Sequence, residues 1–376
     1  MRHLRRFICL SLVIVLCITC LGGCQSNQSD SQPPTEENTQ TEDTQQEETQ
    51  QENTESDQNI ESTEIILPDM TKINPLTGLA DMTAEAMDKR PVAIMVNNVP
   101  KSFPQYGIEA ADLIFEIPVE GGQTRFMAVY ADYTQIPNVC SVRSARKYFA
   151  AIAKGFDAVY INWGRNDVIV PYLKSLKLTQ YEGLFNEGKL FARDKERKKA
   201  GYALEHTGYV KGPKIPEALA KDKARVDIEE DKKGTAFNFY GYGEEVQLEG
   251  TTCTYAKIDY GTAVATFKYD ATTDKYYKEY NKKAQIDGST GNQLAFTNVF
   301  VLEAKIKADS NGLHRDVDWH GGNGYYLSNG IIQKIKWSKA SEQEPLLLFD
   351  ENGNELTINR GNSYFGISYI GEAKFE

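Results

Sequence analysis

Short apolar runs separated by polar turns fill the chain after residue 70, and their spacing changes near residue 235. Four runs rich in β-branched and aromatic residues predict strands in the first part, at 91–96, 113–117, 126–131 and 158–161. Between Ala145 and Phe156 the apolar residues are spaced by four, three and four positions, which predicts a helix. Ser141 or Ser144 would serve as its N-cap. Strands alternating with helices are typical of an α/β domain, which we predict for residues 71–210.

The second part carries short aromatic and β-branched runs at a regular spacing. Turn signals such as Asn329-Gly330 separate the runs, as in β-hairpins. The strands predicted there are 237–240, 252–258, 263–269, 275–280, 294–302, 331–337, 346–349, 355–358 and 364–369. We expect an all-β domain over residues 235–376, joined to the first by a charged connector at 211–234. The predicted fold class is α+β, an N-terminal α/β domain followed by a smaller, hairpin-rich all-β domain.

The start of the chain predicts export and lipidation. Three arginines precede an apolar segment, Phe7 to Leu21, whose 15 residues fall short of the roughly 20 that a membrane-spanning helix needs. Residues 1–23 are therefore predicted to be a signal peptide. The segment ends in Leu-Gly-Gly-Cys, which resembles the processing signal of bacterial lipoproteins. Lipidation of Cys24 would make the membrane a partner and place the protein on its outer face.

Residues 24–70 are predicted to form a disordered, acidic tether. Between Gln25 and Met70 the chain has 13 acidic residues and no lysine or arginine. Such a segment cannot bury enough apolar area to offset chain entropy. Once the tether and the signal-peptide arginines are set aside, 39 basic and 40 acidic residues remain. The nearly neutral body argues against nucleic acid as a partner.

Two cysteines, Cys140 and Cys253, remain in the predicted mature body after Cys24. They lie in different predicted domains. A disulfide between them is compatible with an oxidising location outside the cell. Two buried, unpaired thiols are the favoured alternative, because free cysteines are among the most buried residue types.

Charged and amide side chains follow the predicted strands of the first domain. If the strands are parallel, their carboxyl ends meet at one edge, where open α/β sheets bind ligands. Arginines at a helix start would favour an anion. The candidate ligand-binding residues from this argument are Asn97, Asn98, Glu116, Glu120, Arg125, Arg143, Ser144 and Arg146. A network of ion pairs that merely closes the domain is the structural alternative.

Motifs for several common chemistries are absent from the sequence. There is no G-x-S-x-G, no Walker lysine and no H-E-x-x-H. The spacing of His314 and His320 fits no zinc or calcium pattern, so we expect a hairpin loop there, and neither a metal nor a cofactor. Paired carboxylates at Glu116 and Glu120 leave glycoside hydrolysis as an alternative.

Several motifs resemble the YerB-like family of bacterial lipoproteins. These are Asn74–Leu79, Arg90–Asn98, Ala111–Arg125, Val142–Phe149, Phe191-Ala192-Arg193-Asp194 and Asn298–Val301. The resemblance implies a signal peptide, a lipidated cysteine, a spacer and two domains, in a family whose activity is not established. It adds Asp194 and His206 to the candidate ligand-binding residues. Family members often carry Pro-His-Asn where this chain has Glu205-His206-Thr207.

Two functions follow as expectations. The favoured one is a membrane-anchored, extracytoplasmic lipoprotein that binds an anionic or sugar-like component of the cell envelope, or acts as a scaffold for a cell-wall component or an envelope protein. The alternative is an envelope hydrolase in which Glu116 or Glu120 acts with Arg143 and Arg146. The missing nucleophile and metal motifs favour the first, and whether the protein is an enzyme stays open at the level of sequence.

Overall fold

A computed structural model describes residues 67–244, 246–310, 312 and 314–376. The predicted signal peptide, Cys24 and the predicted tether up to residue 66 lie outside the described residues. Within the described part, no helix is both long and apolar enough to cross a membrane. These residues belong to one compact unit, Thr63–Glu376.

The helices of the described chain are short, and all lie before residue 235. They are α1 Lys147–Gly155, α2 Val170–Ser175, α3 Gly183–Asn186, α4 Lys195–Lys199 and α5 Ile215–Lys221. The predicted N-cap of the first helix is wrong, because α1 is preceded by Arg146 in extended conformation. The segment before it is extended because Val142 forms a bridge to Val96 and the Arg143 amide donates to Met95 O at 3.0 Å.

Strands account for most of the regular structure. The first eight are β1 Val92–Asn98, β2 Leu113–Pro118, β3 Thr124–Tyr130, β4 Val139–Cys140, β5 Val159–Asn162, β6 Gln180–Glu182, β7 Phe191–Arg193 and β8 Gly208–Val210. The next eight are β9 Asn238–Phe239, β10 Thr251–Thr252, β11 Tyr255–Asp259, β12 Val264–Asp270, β13 Lys275–Tyr280, β14 Lys283–Ala284, β15 Ala295–Phe296 and β16 Asn298–Ala304. The last are β17 Ile306–Ala308, β18 Arg315–Val317, β19 Gly321–Ser328, β20 Ile331–Ser338, β21 Leu347–Phe349, β22 Thr357–Ile358, β23 Ser363–Tyr369 and β24 Ala373–Phe375.

One large sheet contains strands from both ends of the described chain. Its order is β10-β20-β19-β16-β23-β2-β3-β1-β5-β6, with β21 paired to β20. The junction is β23, which runs parallel to β16 on one side and to β2 on the other. Because a β-ladder binds its strands through backbone hydrogen bonds, the two halves of the sequence share a single sheet.

The strands at the site run in directions that bring their carboxyl ends together, the arrangement on which the site argument depended. β1 and β2 are both antiparallel to β3, and β5 is parallel to β1. The strands β1, β2 and β5 therefore point the same way, and the start of β3 lies beside their carboxyl ends. This half is α/β only in part, because β3 is antiparallel to both of its neighbours.

The strand-rich character predicted for the C-terminal part is confirmed. A second sheet has the order β14-β13-β12-β11-β24, with β15 paired to β13, and the turn between β19 and β20 is Asn329-Gly330 with positive φ at both residues. His314 directly precedes β18 of a short β17–β18 hairpin, whereas His320 lies between β18 and β19, so the expected hairpin loop contains only the first of the two histidines. The domain boundaries at residues 210 and 235 stay predictions.

The sequence analysis missed β19. Its first residues are Gly321-Gly322-Asn323-Gly324, a composition depleted in strands. A Cβ at Gly322 would lie 2.5 Å from Glu303 O, and one at Gly324 would lie 2.6 Å from Val301 O. Glycine is needed there because the neighbouring strand β16 passes too close for a side chain.

Candidate functional site

Strand pairing brings the predicted site residues to one edge of the large sheet. The register aligns Asn97 with Arg125 and Asn98 with Thr124. On the other side of β3, Ile117 aligns with Arg125. Successive side chains on a strand point to opposite faces. The edge therefore divides into an inner group around Asn98 and an outer group around Asn97.

The inner group is a sealed polar network around Glu116. Its Oε1 accepts from Asn98 Nδ2 at 2.8 Å and from Thr124 Oγ1 at 2.6 Å. Its Oε2 accepts from Tyr364 OH at 2.8 Å and pairs with Lys278 Nζ at 3.1 Å. The side chains of Glu116 and Lys278 are both 0% exposed. A ligand therefore has no access to this carboxylate in the structure.

Lys278, on β13, supplies the counter-charge from the C-terminal part of the chain. Its Nζ also donates to Gln285 Oε1 at 2.8 Å, and it lies within 6 Å of three aromatic rings, those of Phe126, Phe267 and Tyr364. Burial lowers the pKa of Lys278, and the neighbouring Glu116 carboxylate opposes that shift. Such a fully bonded pair is a structural junction between the two parts of the chain.

The outer group lines an open cleft of 340 Å³, a volume within the range of small-molecule sites. Four of the predicted site residues line it. The cleft is formed by Asn97, Val99, Pro100, Lys101, Val119, Gln123, Thr124, Arg125, Arg143, Glu205 and His206. Besides Arg125, the cleft contains two cations and a histidine, Lys101, Arg143 and His206, and one carboxylate, Glu205.

Arg125 is a buried cation without an ion-pair partner among the described residues. It is 7% exposed, and its Nη1 donates to Ser144 O at 2.7 Å. Among the described residues no carboxylate forms an ion pair with it. Burial, together with the nearby Arg146 and Arg143 guanidinium groups, lowers the pKa of Arg125 to about 9, and the Glu120 carboxylate opposes that shift. An anion in the cleft would compensate this charge.

Arg143 and His206 stand at the cleft with Glu205 between them. Arg143 Nη1 pairs with Glu205 Oε2 at 3.1 Å, while Arg143 Nε is buried without a hydrogen-bond partner. The Asn97 amide donates to His206 Nδ1 at 3.0 Å, which places the proton of the neutral ring on Nε2. Burial lowers the pKa of His206; Glu205 opposes that effect, and Arg143 adds to it.

Glu120 and Arg146 are already paired with each other. Arg146 Nε and Nη2 donate to the two Glu120 oxygens at 2.8 and 2.7 Å, and Nη1 donates to Ala145 O at 2.7 Å. Burial raises the pKa of Glu120, but the Arg146 guanidinium outweighs it, and the pKa lies below its ordinary value. Neither residue lines the cleft, so the predicted use of Arg146 at an anion-binding helix start is not supported by its contacts.

Asp194 and Ser144 have structural contacts. Asp194 caps α4, since its Oδ1 accepts from the amides of Glu196 and Arg197 at 2.9 and 3.0 Å. Its Oδ2 accepts from Tyr106 OH at 3.0 Å. Ser144 supplies the carbonyl that holds Arg125. Both residues serve as supports, and neither lines the cleft.

Sequence reasoning missed several residues that matter at this edge. Lys278 and Tyr364 carry no local signal for their role, because they reach Glu116 from β13 and β23. Thr124 and Lys101 lie next to residues that were singled out. Glu205 adjoins His206, and its acidic side chain carried no local signal for a place in the cleft. Both cysteines are free and buried, as the favoured alternative predicted.

Metal binding has no support in the described part of the chain, where no group of three histidine, cysteine or carboxylate side chains is arranged to hold an ion. His314 instead contacts Asn166 Nδ2 through Nε2 at 3.0 Å. His320 contacts Asp318 through Nδ1 at 3.0 Å. The two histidines thus have separate local partners.

Comparison with known proteins identifies relatives over most of the described chain. Residues 76–225 match the N-terminal domain of a protein family of unknown function (DUF3048), and residues 256–365 match its C-terminal domain. "Putative lipoprotein YerB" of Bacillus subtilis (strain 168) is 28% identical over 274 residues, which cover 71% of this chain and 78% of that protein. A crystal structure of YerB protein from Bacillus subtilis matches with a TM-score of 0.70 and 26% identity, covering 80% of this chain and 98% of that one. The chain therefore belongs to the YerB-like two-domain family, as its motifs predicted.

Proposed function

We propose that this protein is a cell-envelope lipoprotein whose cleft binds a carboxylate or phosphate group of an envelope component. The observation that carries the proposal is Arg125, a buried guanidinium that lines the cleft and forms no ion pair with a carboxylate of the described residues. Arg143 lines the same cleft, and its Nε is buried without a hydrogen-bond partner. Buried charges and buried donors are normally paired. Because Arg125 and Arg143 Nε depart from this rule, we infer that a ligand supplies the missing acceptors.

The polar neighbours of Arg125 suit an oxyanion. Asn97 and Gln123 add amide donors, and Lys101 adds a second kind of cation. A guanidinium can bind a carboxylate or a phosphate through two hydrogen bonds at once. The volume of 340 Å³ leaves room for more than the anionic group, which fits a sugar phosphate or a peptide terminus.

The hydrolase alternative is weaker in this geometry. A pair of catalytic carboxylates must both reach the scissile bond. Glu116 is fully buried and held by Lys278, and Glu120 is bound to Arg146 through both oxygens. We therefore favour binding over hydrolysis.

The anchor completes the proposal. A relative carries the name "Putative lipoprotein YerB", and the motifs of this chain predict a signal peptide, a lipidated cysteine and a spacer before the folded body. Lipidation at Cys24 would hold the folded body on the outer face of the membrane through the acidic tether. The ligand would then be met at the cell wall.

Arg125→Gln tests the cleft. Loss of a charge-assisted hydrogen bond worth about 1.5–3 kcal/mol should weaken anion binding by roughly 10- to 100-fold. Isothermal titration with phosphate, acetate and peptidoglycan fragments measures the affinities, and melting curves check folding. Without an anion the variant should melt near wild type, because it removes an uncompensated charge.

Arg165→Gln is the matched control, since Arg165 pairs with Glu182 at 3.0 Å and does not line the cleft. It should bind the anions as wild type does. If wild type binds none of them, or if both variants bind as tightly as wild type, the cleft is not an anion site.

A further inference from the structure

Glu205 places a carboxylate inside the proposed anion cleft. Its Oε2 lies 3.1 Å from Arg143 Nη1, and its Oε1 lies 3.5 Å from His206 Nε2. Both partners line the cleft, and both are the donors that an anionic ligand would need. A carboxylate of the chain itself therefore occupies part of the position that a bound oxyanion would take.

The contacts of Glu205 are weak compared with those of other acidic side chains nearby. Its side chain is 55% exposed, and a single hydrogen bond, from Arg143, is present among its contacts in the described chain. Glu120 by contrast accepts two from Arg146, and Glu182 accepts from the amides of Gly164 and Leu184 as well as from Arg165. Exposed ion pairs contribute little, so Glu205 can leave its partners at small cost.

The position of the Glu205 side chain would change how many donors the cleft offers to an anion. While Glu205 is bound to Arg143, an incoming anion is attracted by Arg125 but repelled by the Glu205 carboxylate. With Glu205 turned to solvent, Arg143 and the His206 ring are free to bind the same anion. The second state has more donors and less repulsion, so it favours anions with several acceptor oxygens.

We propose that Glu205 is a built-in competitor that the ligand displaces, and that it determines how tightly the cleft binds oxyanions. This inference rests on the proposed function and adds the residue that sets its affinity. It identifies the ligand class as an oxyanion with at least two acceptor oxygens, a carboxylate or a phosphate, that binds Arg143 in place of Glu205.

Glu205→Gln tests the competition, with inorganic phosphate and acetate as probes in isothermal titration. The variant lacks the ion pair between Glu205 and Arg143, which an anion has to break in the wild-type protein. Its affinity for the anion should therefore be about two- to fivefold higher. Glu187→Gln is the matched control, because Glu187 is 50% exposed and pairs with Arg193 Nε at 3.2 Å outside the cleft. Its anion affinity should equal that of wild type, which excludes a general effect of net charge.

The possible results separate the two proposals. If wild type binds and Arg125→Gln does not, while Glu205→Gln binds equally or more weakly, then Glu205 positions Arg143 and the competition is refuted. An equal gain in Glu187→Gln would also refute it, since net charge would then be the cause. If no protein binds either probe, the cleft and the competition fail together. If the cleft binds phosphate more tightly than acetate, the ligand group is a phosphate. If it binds acetate more tightly, the ligand group is a carboxylate.

Discussion

Two acidic residues of the same segment have different roles at the scale of single side chains. Glu116 is enclosed by donors from four strands, including Lys278 from β13, whereas Glu120 forms a partly exposed pair with Arg146. The cost of leaving a charge unpaired is high only where water is excluded. The buried pair should therefore dominate the stability of the junction, and the exposed pairs should contribute little.

Lys278→Met should destabilise the protein by about 3–5 kcal/mol, because it leaves the Glu116 carboxylate buried without its counter-charge. Urea unfolding followed by tryptophan fluorescence measures the free energy. Adding Glu116→Gln should recover most of the loss, since the remaining partners of Glu116 can bond to an amide.

Lys268→Met is the control for this prediction. Lys268 is on the neighbouring strand β12, is 57% exposed, and pairs with Glu279 at 2.7 Å. Its replacement should cost less than about 1 kcal/mol. A loss in Lys278→Met as small as this, or no recovery in the double variant, would show that the buried pair is not the stabilising contact.

At the scale of elements, β23 decides how the two halves are joined. It lies between β16 and β2 and is parallel to both, so its hydrogen bonds connect the C-terminal strands to the N-terminal ones. The segment 211–233, which joins the N-terminal to the C-terminal strands along the chain, contains α5 and exposed lysines. A cut in that segment breaks one covalent link and leaves the sheet intact.

Trypsin is expected to cleave first within 211–233, where basic residues are exposed. The two fragments should stay associated, because the ladder from β16 through β23 to β2 is not interrupted by the cut. The fragments should run as two bands in a denaturing gel and as one species in gel filtration. They should separate in urea at about 6 M, on the order of the concentration that unfolds such proteins. Fragments that separate without denaturant would establish two independent domains.

At the scale of the whole molecule, the charge is distributed unevenly along the chain. The predicted tether carries 13 acidic residues, and the folded part is nearly neutral. An acidic spacer on a lipid anchor would hold the body away from an anionic membrane surface.

Cys24→Ala should move the protein out of the membrane pellet, or leave an unprocessed precursor, because the acceptor for the lipid is gone. Cell fractionation and the mass of the mature protein measure this. Cys20→Ala is the matched control, since Cys20 lies in the apolar segment before the predicted cleavage site, and it should stay in the pellet. Mature, membrane-bound Cys24→Ala would refute lipidation at this position.

The sequence by itself determined the features that depend on neighbouring residues. The apolar runs located most strands, including Lys275–Tyr280, within two or three residues, because side-chain alternation is a local property. The polar residues that follow these runs, among them Asn97 and Arg125, were also found from the sequence, and the ladder between β1 and β3 places these two side by side. The family motifs also lie in these segments.

Only the tertiary structure decided which of these residues are accessible and which are paired. No local pattern could show that Lys278 neutralises Glu116, because the contact depends on how β13 packs against the sheet. Nor could it show that Arg146 is bound to Glu120 while Arg125 is left without a counter-charge. The pairing of charges depends on distances set by the packing of strands remote in sequence, and those distances separate the cleft from the junction beneath it.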